Sequence, residues 1–182
     1  YLEDLLYRLS ENSEVQDRRF EFIVLQDKSI NAFAAPGGII GINLGMFLNT
    51  KKEGELASVM CHELAHLSQR HYARSQNRSS PLANALMVLG SIAIAAASRN
   101  PEAIMIAPAA MQQMSINFTR SNEKEADRIG FNNLVKAGFD PSDMSSMFQR
   151  MQDKYQNEDS EEFSYLMTHP LPSERLTDMR IR

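Results

Sequence analysis

Apolar residues recur first at helical spacing in residues 1–14, where Leu2, Leu5, Leu6 and Leu9 share one face. The period then changes. Phe20-Glu21-Phe22-Ile23-Val24-Leu25 is rich in β-branched and aromatic side chains and predicts a strand. Ile30 to Ala35 predicts a second strand. Pro36-Gly37-Gly38 supplies turn chemistry, and Ile39 to Ile42 predicts the returning strand of a hairpin. Thr50-Lys51-Lys52-Glu53 fits a capping box, in which the Thr hydroxyl and the Glu carboxylate would satisfy each other's backbone amides. The helix after it carries Leu56, Val59, Met60, Leu64 and Leu67, and should stop before the turn formers Asn77-Arg78-Ser79-Ser80-Pro81.

Residues 82–97 are nearly all apolar, and Arg99-Asn100-Pro101-Glu102 breaks the run. The run is short for a membrane span, which needs about 20 residues, and Asn84, Gly90 and Ser91 dilute it. It suits a helix that covers a cleft, touches a membrane peripherally or packs in the core. A second apolar stretch, 103–111, leads into a long helix expected to reach Lys136, with Gly138 ending it. Asp140-Pro141 then predicts an N-cap and first-turn proline for a helix carrying Met144, Met147, Phe148 and Met151. Residues 153–162 are polar and acidic and predict a loop, and a last short helix follows Thr168-His169-Pro170-Leu171-Pro172.

This pattern implies an α+β, mainly helical fold. Composition narrows the function. The 182 residues are 43% apolar, which argues against disorder. A net charge of −4 argues against a nucleic-acid partner, which needs a basic face. Cys61 is the single cysteine, so no intramolecular disulfide forms; one step from His62 it is rotated about 100° around the helix, toward the core. The chain starts Tyr1-Leu2-Glu3, without an initiator Met or a basic-then-apolar leader, and stops at Arg180-Ile181-Arg182 in a helical pattern. The expectation is a single domain over 1–182, part of a longer chain, with any signal peptide absent.

His62-Glu63-Leu64-Ala65-His66 carries the chemistry. Residues four apart lie on one helix face, so two imidazoles can converge on one zinc ion. Glu63 can reach a water bound there, take its proton and pass it to a leaving amine. The plain alternative is a helix with two surface histidines and a solvated Glu; the apolar helix around the motif argues against it. A catalytic zinc needs a third protein ligand. In one protease class this is a His six residues after the second, with a Gly between; here Tyr72 and Gln69 stand at those positions, and His71 is one residue off. The other class uses a Glu from a later helix. Glu123 in Ser121-Asn122-Glu123-Lys124-Glu125-Ala126-Asp127 offers one, and Asp127, on the same face, can orient a ligand histidine. Alone, an exposed helix carboxylate would be the commoner outcome for Glu123. Glu125 should be solvated.

These motifs, with Asn31-Ala32-Phe33-Ala34-Ala35-Pro36-Gly37-Gly38 and the His169-Pro170…Arg175 ending, resemble the HtpX/Oma-like HExxH zinc metallopeptidases. Within them the chain is most similar to the soluble bacterial type, through Asn122-Glu123-Lys124-Glu125-Ala126-Asp127-Arg128-Ile129-Gly130 and Thr168-His169-Pro170-Leu171-Pro172. The resemblance implies a gluzincin-type domain with a small β-sheet and an HExxH helix. It implies one zinc per chain on His62, His66 and Glu123, with Glu63 as base and Asp127 behind the ligands. It also implies a periplasmic endopeptidase of a Gram-negative bacterium, acting on unfolded or misassembled outer-membrane proteins near the β-barrel assembly machinery. A C-terminal helical-repeat domain would lie outside this sequence.

Five residues stay open. Asn31, Ala32 and Phe33 either pair with an extended substrate or belong to an ordinary hairpin. His169 either stabilises an oxyanion, fills the fourth zinc position and holds the enzyme off, or is a loop His without a role. Arg175 either meets a carboxylate or substrate near the site or lies on a helix surface. Two rival functions remain: a chaperone or assembly factor with an occluded or structural zinc, and a membrane-embedded relative, which would need a true span at 82–97.

Overall fold

The computed structural model describes residues 1–78, 106–157, 165–166, 169–170 and 173–181. The apolar run 82–97 lies outside them, as does the acidic stretch 158–164. The chain divides into two compact units, one of residues 1–70 and 123–182, the other of residues 71–122. In the second unit the described elements are α4 (His71–Arg78) and the first part of α5 (Ile106–Lys136). No helix among the described residues is long and apolar enough to cross a membrane.

The first unit is helical around a three-stranded sheet. Helix α1 (Leu2–Ser10) precedes strands β1 (Glu21–Leu25), β2 (Ala32–Ala35) and β3 (Ile39–Asn43). The sheet order is β1-β3-β2. The predicted hairpin is present: β2 runs antiparallel to β3, with Ala32 opposite Ile42 and Ala35 opposite Ile39. Gly37 and Gly38 take φ of 92° and 82°, which only glycine adopts without strain. β1 runs parallel to β3, with Glu21 opposite Ile39. That leaves β2 as an edge strand.

A short helix, α2 (Leu44–Leu48), follows β3 directly. Hydrophobic periodicity misses it because five residues span little more than one turn. Helix α3 (Glu53–Ser68) then crosses the core, buried without a break from Gly54 to Ala65. A helix apolar on all sides is an interior one. The capping box does not form. Lys52 is the N-cap without a side-chain bond, and the Thr50 hydroxyl donates back to the Phe47 carbonyl at 2.7 Å. Glu55 replaces it, accepting from the Lys51 amide at 2.6 Å.

Helix α5 ends in the expected way. Gly138 has φ 83°, its amide donates to the Val135 carbonyl, and the Phe139 amide donates to that of Leu134. This is the two-bond Schellman closure. Asp140 accepts from the Ser142 amide at 2.9 Å and opens α6 (Ser142–Asn157). Helix α6 runs five residues into the predicted loop, where Lys154 donates to Asn49 Oδ1. Helix α7 (Ser173–Ile181) closes the unit. Leu6 and Leu9 of α1, Ile40 and Ile42 of β3, Leu56 and Leu64 of α3, and Met144, Met147 and Phe148 of α6 form one buried core. Each such side chain contributes about 1.5–3 kcal/mol by leaving water.

Candidate metal centre

The site lies where α3 faces α5. On α3, four-residue spacing sets His62 and His66 on one face, with Nε2 atoms 3.0 Å apart. On α5, Glu123, Ala126 and Asp127 share a face, and Ala126 buries with Ala65 and Ile129 between the helices. This brings Glu123 Oε2 to 3.2 Å from His62 Nε2, and Oε1 to 3.2 Å from His66 Nε2. The side chains of His62 and Glu123 are 0% and 4% exposed, so no water screens them.

The three side chains form a triangle, in which each imidazole faces a different oxygen of the Glu123 carboxylate. Ligands tetrahedral about a zinc at 2.0–2.1 Å stand about 3.3–3.4 Å apart. The observed edges of 3.0, 3.2 and 3.2 Å fall within a few tenths of that. The donor set, two imidazoles and one carboxylate, also suits zinc. The residues therefore fit the ion that the sequence implies. A fourth donor lies close: the ligand atoms of His62, His66, Glu123 and His169 are all within 4.8 Å of one another.

Behind the triangle is a second set of charges. Asp127 Oδ1 lies 3.1 Å from His62 Nδ1. Arg175 makes a two-pronged contact with Asp127, from Nε at 2.7 Å and Nη2 at 2.8 Å. Its Nη1 lies 3.0 Å from Glu123 Oε2 and donates to the Pro170 carbonyl at 2.5 Å. Arg175 is only 1% exposed. Of the placements left open for Arg175, the structure has the one beside carboxylates: its guanidinium meets two buried carboxylates and a loop carbonyl. The alternative of a surface position is ruled out.

The charges set one another's protonation. Burial alone would lower the basicity of His62, but the carboxylates of Asp127 and Glu123 outweigh it and raise the pKa to about 9. At His66 burial wins, and the pKa falls below the ordinary value. Burial would raise the Glu123 pKa, yet His169, His62 and His66 hold it well below the usual carboxylate range. Asp127 is likewise lowered against its burial by His62 and Arg175. Without metal, a proton is therefore favoured on His62, beside two carboxylates.

Glu63 is different. It is 1% exposed, and its Oε1 accepts no hydrogen bond among the described residues. Among the described residues, His169 Nε2 lies 3.6 Å from it. A buried carboxylate oxygen without a donor needs an explanation, and access to a reacting water supplies one.

His169 meets the carboxylate of the triangle. Its Nδ1 is 3.1 Å from Glu123 Oε1 and 3.2 Å from Oε2. Its ring stacks on Tyr165 with centroids 4.6 Å apart, and its amide donates to the Tyr165 carbonyl at 2.7 Å. The Tyr165 amide in turn donates to the Ile30 carbonyl, which ties the segment to the start of β2. Sequence reasoning missed Tyr165, although its place four residues before His169 was a usable signal. Of the substrate-strand candidates, Ala32 faces the core at 2% exposure, Phe33 lies across Gly41 on the neighbouring strand, and Asn31 has a buried Oδ1 without a hydrogen bond among the described residues.

Known proteins resemble this chain over its whole length. A profile of peptidase family M48 matches residues 1–182. A Vibrio cholerae chain named for a beta-barrel assembly-enhancing protease is 46% identical over 187 aligned positions, covering all of this chain and 38% of its own length. The Escherichia coli (strain K12) beta-barrel assembly-enhancing protease is 40% identical, also over the whole of this chain and 38% of its own length. The mitochondrial metalloendopeptidase OMA1 of Schizosaccharomyces pombe is 30% identical over 97% of this chain and 50% of its own. The chain thus spans well under half the length of the first two relatives.

Proposed function

The chain belongs to peptidase family M48, and on that premise we propose a zinc-dependent endopeptidase in which His62, His66 and Glu123 hold the ion and Glu63 is the general base. The observation that carries this is the convergence of the two imidazoles and the Glu123 carboxylate, with separations of 3.0–3.2 Å, beside the unsatisfied Glu63 oxygen. A zinc ion held there would supply Lewis acidity toward a peptide carbonyl and an attacking water. Glu63 would act as the base that accepts a proton and returns it to the leaving amine. Asp127 orients the His62 ring, and Arg175 holds Asp127 in place. No covalent enzyme intermediate is needed.

The edge strand β2 suits a substrate held by main-chain pairing in the Asn31–Phe33 stretch; the Asn31 carbonyl already accepts from the Asn43 amide within the sheet, so the outward backbone groups are those of Ala32. Affinity then depends little on sequence. That fits a quality-control protease for misfolded or stalled outer-membrane β-barrel proteins in the periplasm, beside the assembly machinery. The names of the bacterial relatives support the same substrate class.

A second reading rests on His169. Its Nδ1 lies against the third ligand while its ring is braced by Tyr165, the placement of a fourth ligand rather than of a free acid. His169 then blocks the position where water and substrate must bind, and the domain is held off until the segment moves away. If the block is permanent, the chain is an assembly factor with an occluded zinc.

Casein cleavage with zinc content, measured for wild type, Glu63→Gln and His169→Ala, separates these. A Glu63→Gln protein that keeps zinc and loses cleavage supports the protease. Faster cleavage by His169→Ala supports the blocked site. Zinc binding without cleavage of casein or an unfolded outer-membrane protein by any of the three overturns the protease.

A further inference from the structure

Helices α3 and α5 run in opposite directions where they meet. Gly130 lies opposite Cys61 and His62, while Ala126, one turn earlier on α5, buries with Ala65, one turn later on α3. A Cβ added at Gly130 would stand 3.0 Å from the His62 amide nitrogen and 3.1 Å from the Cys61 carbonyl carbon and oxygen. All three atoms are helix backbone, which cannot rotate aside as a side chain can. Gly130 is in the interior of a helix and its φ is not positive, so no turn requires it. Glycine is a poorer helix former than alanine. What it provides here is close approach of the two helices at the first zinc-ligand residue.

The ligand triangle makes that approach matter chemically. One edge, His62 to His66 at 3.0 Å, is set within α3. The other two, from Glu123 to each histidine at 3.2 Å, cross between the helices. Glu123 lies seven residues before Gly130, two turns along the same face of α5. Widening the helix contact by a few tenths of an ångström therefore lengthens two edges and leaves the third. We infer that Gly130 is a positioning residue that sets the α3–α5 spacing and so fits the site to a small divalent ion over larger ones. This rests on the metal-site reading above.

The test compares wild type with Gly130→Ala by competition titration of the metal-free chain with zinc and with cadmium. Cadmium has the same closed d shell and no geometric preference of its own, but is larger. Leu9→Ala, a core variant on α1, is the control for lost stability. Gly130→Ala is expected to lose at least tenfold in zinc affinity and less in cadmium affinity, so that the zinc-over-cadmium preference drops at least threefold. Leu9→Ala should lower Tm and leave the preference unchanged. An unchanged preference in Gly130→Ala, or an equal shift in Leu9→Ala, overturns the inference. If Gly130→Ala does not fold, Ala126→Ser adds one heavy atom to the same contact; a smaller shift of the same sign supports the inference and none overturns it. A wild type that binds neither metal overturns the metal site itself, an outcome distinct from an unchanged preference.

Discussion

Glu55 and Glu63 lie on the same helix, eight residues apart, at 2% and 1% exposure. The structure treats them oppositely. Glu55 is satisfied on both oxygens, by Arg150 Nη2 at 2.5 Å and the Lys51 amide at 2.6 Å. Glu63 has an oxygen that accepts no hydrogen bond among the described residues. At the N-terminal end of α3, burial of charge is complete and serves to fasten α6. Toward the C-terminal end, the pairing of the buried charge is left incomplete beside four convergent metal-type donors. Equal burial of two identical side chains thus says nothing about role; the partners do.

Substitutions at the two glutamates break or sharpen this contrast most strongly. Glu63→Gln should lower kcat by about 10²–10⁴ while zinc per chain stays at one, as loss of a general base does. Glu55→Gln should fold less stably yet cleave at near the wild-type rate once folded. Equal loss of cleavage in both, with zinc retained, would sink the comparison.

Metal removal is the next largest effect. With free zinc at about 1,000 times its Kd, binding stabilises the fold by about 4 kcal/mol, so a chelator should lower Tm and added zinc should restore it. In Glu123→Gln the zinc dependence of Tm should collapse, whereas in Glu55→Gln it should persist. A Tm indifferent to chelator in wild type would remove the reason for the half-satisfied end of α3.

Arg150→Met leaves the buried Glu55 without its charged partner and should cost about 3 kcal/mol in denaturant unfolding. Zinc stoichiometry should not change. A loss of zinc on this substitution would show that the two ends of α3 are not separable.

The smallest effect concerns Cys61, between the two ends. Burial pushes its thiol pKa well above the ordinary range, so little thiolate forms near neutral pH. Alkylation should be slow in the native chain and rapid after unfolding. Fast native labelling would mean that this part of α3 opens far more readily than its burial implies.

The helices other than α2 and the separate α4, the hairpin turn and the HExxH spacing were legible along the chain because each is local. Periodicity of 3.6, two consecutive glycines after Pro36, and two histidines four apart all act within a few residues of themselves. Glu123 and Asp127 were legible as a pair for the same reason. The capping of α3 was misjudged because Glu53 is drawn to Arg8, 45 residues before it, and Glu55 takes the Lys51 amide instead.

By itself, then, the sequence determined which residues can bind a metal and on which helix faces they stand. Only the tertiary structure decided that α3 and α5 approach closely enough at Gly130 for their donors to meet, that Arg175 turns inward to Asp127 and Glu123, and that Tyr165 braces His169 over the site. Each of these joins residues far apart in the chain. Their outcome depends on which charges the packed core leaves without water, a property of the whole fold rather than of any local pattern.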